Sequence, residues 1–284
     1  MKKIKTVAEL HQFLNALHEL PSPTVDRLII GDPDIKVAKV ATCWMPELAR
    51  IKKAYELGAN VVVAHEPTFY AHHDLFDTGQ PKEYERLFSR TGKRAAYDAY
   101  TAAVEEKKRW IEEHGMAVIR CHDAMDHVPG FGMPYALGEC MGLCEADVMK
   151  KEYGYNVYKT PAKTAGEVAK AIAAGLKSVN CPGVCLYGDP DRAVRAIGMG
   201  AGCYSDPIEY METGADMYVA LHDTVRTWVQ TVFSNDSGLP LIVIDHSVSE
   251  EWGMRKLAEF IGANTDRECV FLPGSPGYAW VTGE

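Results

Sequence analysis

The chain states one pattern twice. Gly31-Asp32-Pro33-Asp34 recurs as Gly188-Asp189-Pro190-Asp191, 157 residues on (188 − 31), and Glu56-x-Gly58-Ala59-Asn60 recurs as Glu212-x-Gly214-Ala215-Asp216, 156 residues on (212 − 56). Thr6-x-x-Glu9 and Thr164-x-x-Glu167 follow at nearly the same offset, 158 (164 − 6), and read as capping boxes. In such a box the hydroxyl and the carboxylate each satisfy an amide that a first helical turn leaves open. Self-similarity is read before anything else because it constrains the whole fold. Here it calls for two related halves.

Each copy leads into a short apolar segment followed by a polar loop. VVVA at 61–64 meets His65-Glu66, and MYVA at 217–220 meets Leu221-His222-Asp223. Further strands are expected at 28–30, 37–43, 116–121, 184–187, 193–200 and 239–245. The Gly-Asp-Pro-Asp tetrapeptide reads as a hairpin turn between its flanking strands, since Pro fixes φ and Asp caps locally. Helices are expected at 46–57, between Pro46 and the stop at Gly58, and at 248–261, with Met254, Leu257, Ala258 and Ile261 on one face. A charged helical excursion at 81–114 carries Tyr84, Leu87 and Phe88, then Tyr100, Val104 and Ile111, on its apolar stripe. Strands alternating with helices give an α/β fold with largely parallel or mixed sheets.

With 284 residues, 47% of them apolar, the chain has ample material for one large or two modest cores. Acids outnumber bases 39 to 30, which argues against nucleic acid as a partner. No apolar run approaches the roughly 18 residues that would span a bilayer. MKKIKTVAELHQFL is spaced as an amphipathic helix rather than a signal-peptide core, so a soluble cytoplasmic protein is expected. Eight cysteines in so long a chain suggest reduced thiols. Cys140/Cys144 and Cys181/Cys185 have a spacing only marginal for zinc, and small buried hydrophobes in a helix such as ALGECMGLC explain the first pair more simply.

Three strands end in histidine and carboxylate: His65-Glu66, then His122-Asp123-x-x-Asp126-His127, and finally His246-x-x-x-Glu250. In open α/β sheets ligands bind outside the carboxyl ends of the strands. Imidazole mixed with carboxylate suits zinc, iron or manganese, whereas all-oxygen sets suit calcium or magnesium. Each element also has a plainer reading. Ser247-x-x-Glu250 could be a capping box, with or without a ligand role for Glu250. His65 could bond backbone, His72-His73 could be a solvated loop, and His122 could bond Asp126 across one helical turn. Together, three coincidences at equivalent strand ends favour a metal site.

ANVVVAHEP, RCHDAMDHVPGFGMPYALGECMGL, GADMYVALHD and VIDHSVSE, in this order, resemble the Nif-three-like dinuclear metal-centre family, the GTP cyclohydrolase I type 2 homologs. The resemblance spans nearly the whole chain. It implies two pseudo-symmetric α/β lobes with mixed sheets, a metal site in the cleft between them, and a toroidal homohexamer. Residues 1–120 with 245–284 would form the first lobe and 121–244 the second. The metal ligands carry over as His65, Asp126, His246 and Glu250, holding two divalent transition metal ions. Two positions depart from the family pattern: Glu66 stands where a second histidine is usual, and Ala220-Leu221-His222-Asp223 replaces Thr-Gly-Asp. Glu66 is the fifth candidate ligand, with bridging, bidentate binding and no contact all open. His122 is the candidate proton-transfer group, because the ordinary pKa of histidine suits acid–base work, and His222 is a second candidate. The implied activity is hydrolysis of a small amide, cyclic amidine or phosphoester. Its rivals are a non-enzymatic metal-binding scaffold or protein-interaction factor and a metal-free remnant.

Overall fold

The computed structural model describes residues 1–70, 72, 74, 94–152, 154–274, 277–279 and 281. In chain order the elements begin with α1 (Val7–Asn15), β1 (Leu28–Ile30), β2 (Val40–Cys43), α2 (Leu48–Glu56), β3 (Val61–Ala64), α3 (Arg94–Glu113) and β4 (Ala117–Arg120). Next come α4 (Asp123–His127), α5 (Met133–Cys140), β5 (Val148–Glu152), β6 (Tyr155–Thr164), α6 (Ala165–Leu176), β7 (Cys185–Tyr187), β8 (Ala193–Gly200), β9 (Met217–Leu221), α7 (Val232–Ser237) and β10 (Leu241–Ile244). The last are α8 (His246–Asn264) and β11 (Cys269–Phe271). The fold is mixed α/β with two mixed sheets. Two compact units share the chain: Met1–Ala124 with Leu257–Leu272, and Met125–Lys256 with Pro273–Glu284.

The first unit holds a sheet of order β1-β4-β3-β2-β11, in which only β1 runs antiparallel to its neighbour. β2, β3 and β4 are buried at every position, which is why VATC, VVVA and AVIR read as continuous runs dominated by apolar residues rather than alternating ones. Ile51 and Ala54 of α2 and Val104 and Ile111 of α3 join Val62, Ala64 and Val118 in one core. Tyr84, Leu87 and Phe88 lie outside the described residues.

The second unit holds a sheet of order β5-β6-β8-β9-β10-β7. β8, β9 and β10 are parallel, and the outer pairings are antiparallel. Val168, Ile172 and Leu176 of α6 pack with Ile197, Val219 and Ile242 in its core. Cys140 is the last residue of α5 and is buried, whereas Cys144 lies beyond the helix and is exposed. The expectation that both face one helix interior is therefore corrected: the glycine after Met141, with φ +82°, ends the helix before Cys144 is reached.

Both capping boxes form. Thr6 Oγ1 accepts the Glu9 amide at 3.3 Å and Thr164 Oγ1 accepts the Glu167 amide at 3.2 Å, with the reciprocal carboxylate bonds also present. Each tetrapeptide makes an Asp turn: Asp32 Oδ1 accepts from Asp34 at 2.8 Å and Asp189 Oδ1 accepts from Asp191 at 2.9 Å. The hairpin expectation is overturned in both copies. β1 neighbours β4 rather than β2, and β7 neighbours β10 rather than β8. The turn instead presents a carbonyl to the preceding capped helix, Pro33 to the Ala8 amide at 2.9 Å and Pro190 to the Gly166 amide at 2.8 Å. Turn chemistry fixes the local reversal, while strand pairing is decided by long-range packing. Gly31 is required twice over: its φ is +105°, and a Cβ there would lie 2.6 Å from the Ala117 Cβ. Among the described residues no helix is long and apolar enough to cross a membrane.

Candidate metal centre

β3 and β4 are neighbouring parallel strands, so the residues that follow them emerge side by side. The ladder continues one step beyond, with the Cys121 amide on the Ala64 carbonyl at 2.9 Å. His65, fully buried, and His122 then stack face to face with ring centroids 4.4 Å apart and planes 15° apart. His72 meets His122 edge-on at 5.8 Å.

Asp26 fixes the backbone here. Its Oδ1 accepts the amides of His122 and Asp123 at 2.6 and 2.8 Å, and its Oδ2 accepts that of Ala124 at 2.9 Å, so it caps α4. Burial raises the Asp26 pKa, and the Asp123 charge adds to that, against the three amides. Asp123 lies 3.0 Å from His122 Nδ1 and also accepts the Thr24 hydroxyl at 2.7 Å and the Val25 amide at 3.1 Å. Burial opposes its ionisation, yet the hydrogen bonds from His122, Thr24 and Val25 hold its carboxyl well below the usual range. With Nδ1–H donating to this carboxylate, the neutral His122 ring carries its lone pair on Nε2. Asp126, 8% exposed, follows on α4 one turn after His122, and the division between the units falls inside this same five-residue helix. His65, His122 and Asp126 form a donor group that could hold a metal ion.

Below the His65-Glu66 turn lies Arg120, 1% exposed. Its Nε donates to the His65 carbonyl at 3.0 Å, a second guanidinium nitrogen donates to the His72 carbonyl, and the third is 3.6 Å from a Glu66 carboxylate oxygen. Burial lowers the Arg120 pKa, and the charges of Glu66 and Asp74 oppose that. Lys107 of α3, also buried, donates to the Thr68 and Pro46 carbonyls at 2.6 and 2.9 Å and so ties down the loop that leaves Glu66. Burial pulls its pKa down to about 8. Glu66, the anionic replacement in the family pattern, thus stands beside a buried cation.

In the second unit α8 opens at His246, two residues earlier than a Ser247-x-x-Glu250 capping box requires. The expectation is corrected: Asp245 provides the cap, its Oδ1 accepting the Ser247 amide at 3.0 Å and the Ser247 hydroxyl as well. Glu250 is left to face His246 one turn away, with Oε2 3.1 Å from Nε2, and is 1% exposed. Asp223 Oδ2 lies 2.6 Å from the other ring nitrogen, Nδ1. Gly202 closes over the pair: a Cβ there would stand 2.7 Å from Glu250 Oε1 and 3.5 Å from His246 Nε2. This is the room a cation held by those two atoms would need. His222 is exposed at the start of a single 3-10 turn, His222–Thr224, and it is the next residue, Asp223, that reaches His246. Sequence reasoning missed Arg120, Gly202 and Asp223 as site residues. Only Asp223 had a signal, as the acid at the end of the second-copy strand.

The sequence profile of the Duf34/NIF3 (NGG1p interacting factor 3) family matches residues 93–276. No curated protein matches the chain in sequence. Among solved structures, the hypothetical protein SA1388 of Staphylococcus aureus superposes with a TM-score of 0.71 at 17% identity, covering 99% of this chain and 100% of that one. The protein related to NIF3 from Bacillus cereus gives 0.71 at 16% identity with the same coverage, 99% and 100%. Protein ybgI, of unknown function, gives 0.71 at 22% identity, covering 95% and 98%. At these identities the likeness speaks for the fold alone.

Proposed function

Because the chain belongs to the Duf34/NIF3 family, we propose that it is a dinuclear metal-dependent hydrolase whose ligands are His65, Glu66, Asp126, His246 and Glu250. The observation that carries this reading is the stack of His65 on His122 at 4.4 Å, at the ends of adjacent parallel strands, with Asp126 in the following turn. The His65 imidazole with the Asp126 carboxylate makes the donor mixture of zinc, iron or manganese, and His122 beside them is left for proton transfer. The constellation of Asp223, His246 and Glu250 repeats that chemistry on the second unit.

Two such ions, when bound, would polarise a substrate oxygen and make a water molecule more acidic. The chain's own residues supply the rest. His122, its Nδ1 engaged by Asp123, offers Nε2 to receive a proton. Arg120 and Lys107 hold the His65-Glu66 loop in place through its carbonyls. His222, exposed, is available to a substrate. The substrate class is a small amide, cyclic amidine or phosphoester, and the protein acts as a cytoplasmic homohexamer. Asp126→Ala or His246→Ala is expected to remove bound metal, measured by elemental analysis of protein purified without chelator. Variants that keep full metal stoichiometry would overturn the ligand assignment.

A second reading, a metal-binding interaction factor, draws on the exposed apolar side chains Ile208, Met211, Trp228, Val232 and Phe233 of the second unit. It would be favoured by full metal occupancy without turnover of any of the three substrate classes.

A further inference from the structure

The geometry points to Asp223 as the positioning residue that commits His246 to binding metal through Nε2. This rests on the reading of His246 as a ligand and extends it to a residue outside the ligand set.

An imidazole has one lone pair to give, and the location of its single proton decides which nitrogen gives it. An ionised carboxylate only accepts, so Asp223 Oδ2 at 2.6 Å from Nδ1 requires the proton to sit on Nδ1. In the neutral ring that binds metal the lone pair then lies on Nε2, the nitrogen that faces Glu250 and the space left by Gly202. Such outer carboxylates fix tautomer and ring orientation and make the imidazole a better donor.

Asp223 is itself aimed by the backbone. It occupies the middle of the single 3-10 turn after β9, and that turn is anchored at both ends. Ser205 Oγ accepts the Leu221 amide at 3.1 Å and bonds Thr224 Oγ1 at 2.8 Å, while Thr224 Oγ1 donates to the Leu221 carbonyl at 3.1 Å. The side chain of Asp223 is 58% exposed, so truncating it opens no cavity.

The test compares the full-length chain with Asp223→Ala, Asp223→Asn and His246→Ala. Zinc is titrated against a chromogenic chelator, and the ring-nitrogen shifts of His246 are read by NMR in the metal-free protein. Asp223→Ala is expected to weaken zinc binding 10- to 100-fold and to move the His246 proton away from Nδ1. Asp223→Asn, which keeps an acceptor oxygen, should recover most of the affinity and the original tautomer. If Asp223→Ala binds zinc as the parent does while His246→Ala does not, the positioning role is overturned and the metal reading stands. Weaker binding with an unchanged tautomer also overturns the positioning role. If His246→Ala binds as the parent does, His246 is no ligand, and the reading beneath falls with this one.

Discussion

The two strand ends that the repeat makes equivalent are furnished differently. After β3 the histidine sits on the strand end itself, buried, above Arg120 and beside a loop that Lys107 ties down. After β9 the turn is open to solvent, and its contribution is a carboxylate placed behind a histidine that arrives on α8, the helix following the next strand. The scaffolding beneath is shared. Asn60 Oδ1 accepts the Ala38 amide at 2.9 Å, and Asp216 Oδ2 accepts the Arg195 amide at 2.8 Å, at matching places in the two copies. The repeated residues therefore encode where a strand end is presented, and the residues after the strand decide whether it carries a donor or supports one.

Arg120→Met tests this contrast most severely. The substitution removes the buried cation 3.6 Å from the Glu66 carboxylate together with its bonds to the His65 and His72 carbonyls, so the expected loss is about 3–5 kcal/mol in chemical denaturation. Asp223→Ala, at the open strand end, should stay within about 0.5 kcal/mol. Equal losses would erase the distinction. Lys107 gives a pH signature of the buried end. Its pKa is about 8 in the folded chain against 10.5 ordinarily, so between those values the unfolded chain binds more protons and stability rises with pH. The rise, about 3 kcal/mol in all, should vanish in Lys107→Met, and a parallel pH profile of the two proteins would count against a buried, destabilised charge. A smaller loss tests the shared scaffold: Thr6→Ala and Thr164→Ala should each cost about 1 kcal/mol in thermal or denaturant melts. A cap that mattered in one copy alone would break the equivalence.

Local chemistry was legible in the sequence. The capping boxes, the strand AVRAIGMG of β8 and the stop at Gly58, with φ +80°, all depend on residues near one another in the chain. So does the emergence of His65 and His122 at strand ends, which apolar runs followed by polar residues announce. Pairing was not legible, because Gly-Asp-Pro-Asp makes the same turn whether or not its flanking strands become neighbours. Arg120 was hidden for a related reason. It closes an apolar run, and nothing in MAVIRC says that its guanidinium lies beneath the end of the adjacent strand. Asp223 was adjacent to the favoured His222, and only the geometry of one 3-10 turn selects which of the two reaches His246.

Among the described residues the six-stranded sheet begins with β5, whose sequence VMKKE is exposed at every position but the first. A free strand edge invites another chain to add itself by backbone pairing, and successive lysines discourage that by demanding that their charge be stripped of water. Growth of the sheet by accretion is thereby resisted on this side. Self-association of this unit is thus steered away from the route that leads from stacked strands towards fibres.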